Sequence, residues 1–392
     1  MQKWMKPGTL VALVVAVGSF PLIAIAIAKR PTPPTNGLPI FEKDASWPKP
    51  LPNGWFFGQV TGISVDDAGH IWVIHRPGGE RLRDSAKEAA REAVEAERTG
   101  TPAPRVVEFD KDGSFVQGWG GPSSDHAWPQ EEHGITADTA GHIWISGHSD
   151  SFTPPGPDLV DTEILKFSTD GKFLAMFGKP KSWGGSSDKQ GFGNPTNMRL
   201  NAQTNELFVS DGEANHRVVV VDATTGAYKR HWGAYGGQPD DTLGEAPYDP
   251  SAPPAKQFGR RSVHCLLLGS DSLVYVCDRA NDRVQVFRED GTFLKEGFVA
   301  RETRGVGSVW SLGLSPDRRF LYVGDGSNQK IWILNGETLE VLGSFAEKGS
   351  RDGEVGTPHS MAVDALGNIY TAYPLTKWKF KGVGPAKSED QR

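Results

Sequence analysis

The sequence predicts an all-β protein, a six-bladed β-propeller behind an N-terminal signal or anchor segment. Three observations lead there. A hairpin of alternating β-branched and aromatic residues recurs six times along the chain. The hairpins turn on Gly or Asp, in a chain with 47 Gly and 28 Pro among 392 residues, more punctuation than long helices tolerate. Twelve Trp and 19 Phe supply bulk for a large core, which excludes disorder.

The first element is the N-terminus. Met1–Lys6 carries Lys3 and Lys6 and no acid, and the run from Thr9 to Ala28 has no charge and ends in alternating small residues. A basic start before an apolar stretch is the pattern of an export signal, and the stretch approaches the length that spans ~30 Å of bilayer. Residues 1–30 therefore read as a signal peptide or membrane anchor, with a buried core segment as the third alternative. The rest of the chain is expected to be exported: periplasmic, secreted, or membrane-anchored facing outside. Residues 31–50 begin with a proline-rich linker and leave room for a closing strand.

The repeats follow over residues 51–382. One unit runs Thr61–His75 and the next His133–Gly147; four more begin at Thr196, His264, Trp310 and His359. In each, a strand a passes through a tight turn, such as Asp67–Gly69 or Asp364–Gly367, into a strand b. A strand c follows at Val106–Phe109, Ile164–Phe167, Val218–Val221, Val284–Phe287 and Ile331–Leu334, and a strand d at Phe115–Trp119 and Phe173–Phe177. Six four-stranded units suit radial packing, which leaves only short, protected edges. The last unit is short after Phe380, so its missing strand is expected within Pro39–Pro48; residues 383–392 are a tail. A pair of β-sandwiches is the alternative, and it leaves the sixfold recurrence unexplained.

The long insertions are Pro77–Pro104, His148–Asp161, Gly178–Pro195 and Gly233–Ser262, all b–c or d–a connections, so they crowd one rim of the ring. Within the first, Glu80–Arg98 reads as a charged helix, either a solvated surface element or part of a functional loop.

Aligning the six strand-a starts puts histidine at blades two, four and six: His133, His264 and His359. Sixfold geometry sets these imidazoles about 120° apart around the axis at one depth. Three imidazoles with an open fourth position are the donor set of a catalytic zinc, although three nitrogens without sulfur also suit other metals. His126, His142, His216 and His231 fall outside this phase and read as ordinary packing or surface residues. The ends of strand b add Arg76, His148 and Arg279. Arg76 and Arg279, in blades one and four, face each other across the axis and would suit an anionic substrate group, because guanidinium pairs bidentately with carboxylate; local salt bridges are the alternative. Asp211, Asp278 and Asp325 sit in equivalent positions and are expected to bond from blade to blade. Cys265 and Cys277 lie on adjacent strands of blade four, where a disulfide and two buried thiols are both open.

Net charge of −6 argues against a nucleic-acid partner, and two cysteines exclude a disulfide scaffold or a four-cysteine metal site.

Gly58–Asp66, Ile74–Arg76, His133–Ile135, Pro195–Thr196, Val209–Gly212, Cys277–Arg279 and Pro358–His359 resemble the NHL-repeat propellers. The resemblance is nearest to the peptidyl-α-hydroxyglycine α-amidating lyases (peptidylamidoglycolate lyases) and spans most of Gly58–Tyr373. It implies a zinc held by His133, His264 and His359 and a substrate bound by Arg76 and Arg279. Two positions depart. The family has a catalytic tyrosine after its Asp-Gly pair, whereas this chain has Glu213, a carboxylate that could serve as a general base. The family's last zinc histidine precedes an aspartate that helps bind calcium, and this chain has Ser360 there.

The expected function is that of an exported, zinc-dependent lyase-like or hydrolase-like enzyme, monomeric, acting on a small-molecule or peptide substrate with an anionic group. The alternative is a non-catalytic NHL-repeat module that binds peptide, glycan or protein. A calcium lactonase is a third reading, but it would need clustered carboxylates where the aligned positions offer histidines.

Overall fold

The computed structural model describes residues 37–77, 100–149, 161–242, 248–259, 261–348, 354–355, 357–372 and 377–385. The N-terminal segment 1–30 and the helix read at Glu80–Arg98 lie outside the described residues. Among those described, no helix is long and apolar enough to cross a membrane.

Among the described residues, six four-stranded antiparallel sheets form the ring, and Glu347–Lys348 pairs in parallel with Glu354–Val355 as a short seventh sheet. Blade one runs Gln59–Val65, Ile71–Arg76, Val106–Phe109 and Phe115–Trp119 from inner to outer strand. The inner strands of blades two to six are Glu132–Ala137, Pro195–Asn201, Val263–Leu268, Ser311–Leu314 and Ser360–Val363. Each packs on the next in cyclic order, and that of blade six packs on that of blade one, so the ring is closed. Blade six takes its outer strand from Pro39–Lys43, which pairs antiparallel with Lys377–Pro385, Lys43 opposite Phe380. That pairing joins the two ends of the propeller through backbone hydrogen bonds.

Burial follows from stacking blades face to face. Ile71–Arg76 is buried at every position because blades cover both of its faces. The outer strand Phe173–Gly178 meets solvent on one side, and its exposure alternates with the two-residue period of a strand. The core lies between blades. Trp72 and Ile74 of blade one, for example, pack with Ile135, Ile143, Ile145 and Leu165 of blade two.

Side chains brace each hairpin. Asp66 accepts a hydrogen bond from Trp72 Nε1 at 3.0 Å, and Asp138 accepts one from Trp144 Nε1 at 2.7 Å. Between them the turns close through Gly69 and Gly141, whose φ of 80° and 78° is a left-handed conformation that glycine adopts without a Cβ penalty.

At the opposite end of strand b, Asp211, Asp278 and Asp325 do not link neighbouring blades as the sequence suggested. Asp211 pairs with Arg217 at 2.7 Å, Asp278 with Arg283 at 2.6 Å, and Asp325 with Trp332 at 2.9 Å. The reason is register. Arg217 and Arg283 stand directly opposite Asp211 and Asp278 on strand c of the same blade. The arginines then tie down the loops on that rim: Arg217 donates to the carbonyls of Ser186, Asp188 and Gly191, and Arg283 to those of Ala255 and Gln257.

Candidate metal centre

A repeated bulge aims the axial side chains. In blade one Val60 pairs with His75 and Gly62 with Ile74, which leaves Thr61 as an extra residue. His133 is extra in blade two in the same way, and Thr196 in blade three. In blade four His264 and Cys265 together oppose Cys277. Trp310 and His359 repeat the motif, since each donates its N–H to a carbonyl, Gly324 O or Ala372 O, whose residue already faces the next position. A bulge bends the strand and re-aims one side chain. Here it turns six side chains toward the axis.

His133, His264 and His359 meet there. Their nitrogens lie within 4.8 Å of one another, and their ring centroids are 4.8–5.1 Å apart. His264 Nδ1 donates to Trp310 O at 2.7 Å, and His359 Nδ1 donates to Thr61 O at 2.8 Å. In both cases the acceptor is the carbonyl of the axial residue in the next blade. A carbonyl only accepts, so each Nδ1 carries the proton and each Nε2 keeps its lone pair. A carbonyl that accepts from the far ring nitrogen in this way fixes the orientation of a metal-binding histidine.

The donors fit a transition metal. His264 Nε2 is buried with no hydrogen-bond partner, and so is His133 Nδ1. All three rings are held neutral. Burial, with the other imidazoles, puts His133 well below the usual histidine range; burial with Arg279 and His359 does the same for His264. Burial takes His359 down to about 4, against the hydrogen bond to Thr61 O. Neutral imidazole is the ligating form. Calcium does not fit: among the described residues, those lining the axial channel include no carboxylate, and Ser360 Oγ accepts from Ile63 N at 3.3 Å. A hard cation of that kind needs several oxygen ligands.

A charged layer stands beside the imidazoles. Glu213 is buried, with Oε1 2.9 Å from Arg279 and 3.8 Å from His264 Nε2, and Oε2 3.6 Å from His148 Nε2 and 3.9 Å from Arg261. Burial alone would raise its carboxyl, but Arg279, His148 and His264 hold it well below the usual carboxylate range. Arg279 lies over the Trp310 ring at 4.7 Å, and its Nε is buried without a partner. Arg76 bonds to Glu132 O at 2.7 Å, Gln59 at 3.2 Å and Glu131 at 3.0 Å.

The structure thus places Glu213 and Arg279 beside the three histidines. It also gives both arginines internal carboxylate partners. Glu131 and Arg261 carry no repeat phase and sit in loops, so alignment of the strands passes over them. The available signal was proximity: they lie two and three residues before His133 and His264. Cys265 and Cys277 form a disulfide, with Cα atoms 5.1 Å apart, beside His264 and two residues from Arg279.

No family model matches the chain. It is 23% identical over 350 residues to the peptidylglycine alpha-amidating monooxygenase of Rattus norvegicus, covering 86% of this chain and 32% of that protein. It is 27% identical over 323 residues to peptidyl-alpha-hydroxyglycine alpha-amidating lyase 2 of Drosophila melanogaster, covering 80% and 67%. NHL repeat-containing protein 3 of Homo sapiens is 23% identical over 341 residues, 85% of this chain and 81% of that one. The chain therefore spans about a third of the rat monooxygenase it matches. Among solved structures, a virginiamycin B lyase from Staphylococcus aureus aligns with a TM-score of 0.46 at 13% identity, covering 82% of this chain and 94% of that one. The chain resembles the NHL-repeat proteins and the α-hydroxyglycine amidating lyases in sequence, on a six-bladed propeller.

Proposed function

We propose that the protein is an exported, zinc-dependent enzyme that performs a lyase-type or hydrolase-type cleavage on a small or peptidic substrate bearing an anionic group. The observation that carries this reading is the convergence of three neutral imidazoles from alternate blades, two of them with Nε2 freed by a carbonyl at Nδ1. The basic and apolar N-terminus supports export. His133, His264 and His359 would hold the zinc, which supplies a Lewis acid able to polarise a substrate oxygen or acidify a bound water.

The surrounding residues have separable tasks. Arg279 offers its unpartnered Nε to a substrate anion while its other side holds Glu213. Arg76 supplies a second positive group. Glu213, kept ionised in a dry setting, is the group placed to accept a proton. On an N-acyl-α-hydroxyglycine, Glu213 would take the hydroxyl proton as the C–O bond becomes a carbonyl. The C–N bond then breaks with its electron pair going to nitrogen, which takes a proton, and the products are an amide and glyoxylate.

A second reading is a non-catalytic module for peptide, glycan or protein. The internal pairing of Arg76 with Glu131 and of Arg279 with Glu213 favours it, because both cations already have partners. Metal analysis of the purified protein, followed by product detection with an α-hydroxyglycine peptide, separates the two. One zinc per chain and turnover abolished by His264→Ala support the enzyme. Absence of any transition metal after reconstitution overturns it.

A further inference from the structure

Residues 248–259, in the insertion that precedes blade four, arch over the rim of that blade and cover a second cavity. Hydrogen bonds stitch the arch down. Tyr248 OH donates to Arg301 O at 2.9 Å, and Arg301 Nη2 donates back to Ala252 O at 3.2 Å. Arg283 Nη2 donates to Ala255 O at 2.8 Å, and Asn281 Nδ2 to Gln257 O at 3.2 Å. Between these anchors Pro253 and Pro254 have no N–H to pair with the blade beneath, and a space of about 300 Å³ remains under the loop. Asn281 lines this space and ends the single turn Arg279–Asn281, whose first residue holds Glu213. The cavity and the metal centre therefore flank one turn, yet they share no lining residue.

The walls are largely apolar, built from Phe258, Phe298, Pro253 and Pro254. Three cations and one carboxylate also line the space, and most of that charge is already matched. Arg283 meets Asp278 at 2.6 Å and Glu296 at 3.1 Å. Asp249 accepts from Ser251 N at 2.9 Å and Ser251 Oγ at 2.7 Å, inside its own turn. Lys256 reaches away over the Tyr235 ring at 4.9 Å. Arg301 differs. It is half-buried, its guanidinium rests over the Phe298 ring at 4.6 Å, and its Nε is buried without a partner. No carboxylate among the described residues pairs with it. A guanidinium held against a ring presents a planar fork of donors, which suits a carboxylate bidentately.

We propose that this cavity binds a small arylalkyl carboxylate, its carboxylate on Arg301 and its ring between Phe258, Phe298 and the two prolines. Charge selects an anion, because the one acid in the lining is already engaged. The walls select an apolar body over a bare inorganic ion. About 300 Å³ is the lower end of the range for small-molecule sites, which combine apolar walls with a few polar groups that fix orientation. The site stands apart from the proposed cleavage, since neither a metal nor turnover enters the argument.

Titration calorimetry of the full chain with 3-phenylpropionate tests it. The acid should bind once per chain, and the neutral 3-phenylpropionamide at least tenfold more weakly. Arg301→Met should weaken the acid at least tenfold, and Arg301→Lys should restore part of the loss. Should Arg301→Met fail to fold, Ala252→Phe fills the cavity without removing the charge and should also abolish binding. A crystal soaked with 3-(4-bromophenyl)propionate should show the bromine between Phe258 and Phe298 by anomalous scattering. His264→Ala should leave the affinity unchanged, which separates this site from the metal centre. No saturable binding of the acid, equal binding of acid and amide, or binding lost in His264→Ala but kept in Arg301→Met overturns the proposal.

Discussion

Glu213 and Arg279 form a buried ion pair at 2.9 Å, with the carboxylate also 3.8 Å from His264 Nε2. One side chain thus faces both Arg279, the proposed anchor for a substrate anion, and His264, a proposed metal ligand. The pair spans two blades: Glu213 follows strand b of blade three, and Arg279 follows strand b of blade four. Its geometry links stability to activity.

Glu213→Gln should separate those roles. Loss of the charge leaves Arg279 buried without compensation, and breaking a buried pair costs about 3–5 kcal/mol. Urea unfolding should register that loss. Turnover of a competent substrate should fall by roughly 10²–10⁴, the usual contribution of a positioned general base.

His264→Ala removes one of the three nitrogens proposed to hold the zinc. Zinc affinity should drop by more than the ~10–100-fold that loss of an outer-shell partner costs. Competition with a chromophoric chelator reads this directly. Trp310 offers a milder test, because its ring lies under Arg279 and beside His264. Trp310→Leu should raise KM for an anionic substrate more than it lowers kcat.

The disulfide pins the bulge that carries His264. Replacing Cys265 and Cys277 together with alanine should destabilise the protein by about 2–4 kcal/mol, as for a short closed loop. Zinc affinity should fall in the same variant, since nothing covalent then holds the two-residue bulge opposite Cys277. A stability loss with unchanged zinc affinity would show that the strand pairing alone sets the ligand.

The metal-free protein should lose stability as pH falls from about 6.5 to about 4. The sign follows from His359, whose pKa is lowered to about 4 in the fold by burial and stands near 6.5 in the unfolded chain. Between those values the unfolded state binds the extra proton, so stability is complete above about 6.5 and declines below it, by at most about 1.4 kcal/mol per pH unit for this one group. Comparing melting of the wild type with that of His359→Asn across this window isolates the contribution.

The periodic features were legible in the sequence. The spacing of hairpins marked six blades, and the phase of His133, His264 and His359 marked one ring of side chains, because each blade repeats the same strand-and-turn chemistry. Glu213 entered through its place after the Asp-Gly pair. The apolar N-terminus also stood out, but it lies outside the described residues. Features that depend on two blades at once were not legible. The carboxylate partners of Arg76 and Arg279 come from neighbouring blades, and Glu131 and Arg261 sit in loops without period. The bonding of Asp211 and Asp278 was misjudged for a related reason: cross-strand register, rather than position along one strand, decides which arginine faces them.

By itself the sequence determined an all-β repeat chain with three histidines in phase, since hydrophobic alternation and turn residues act locally and identically in every unit. Only the tertiary structure decided what those histidines and their neighbours face. A bulge at each strand start rotates one side chain toward the axis, and ring closure then brings residues from alternate blades within a few ångströms. The same closure surrounds Glu213 with Arg279, Arg261 and two histidines. Such charge relations arise between blades, where no local pattern reaches.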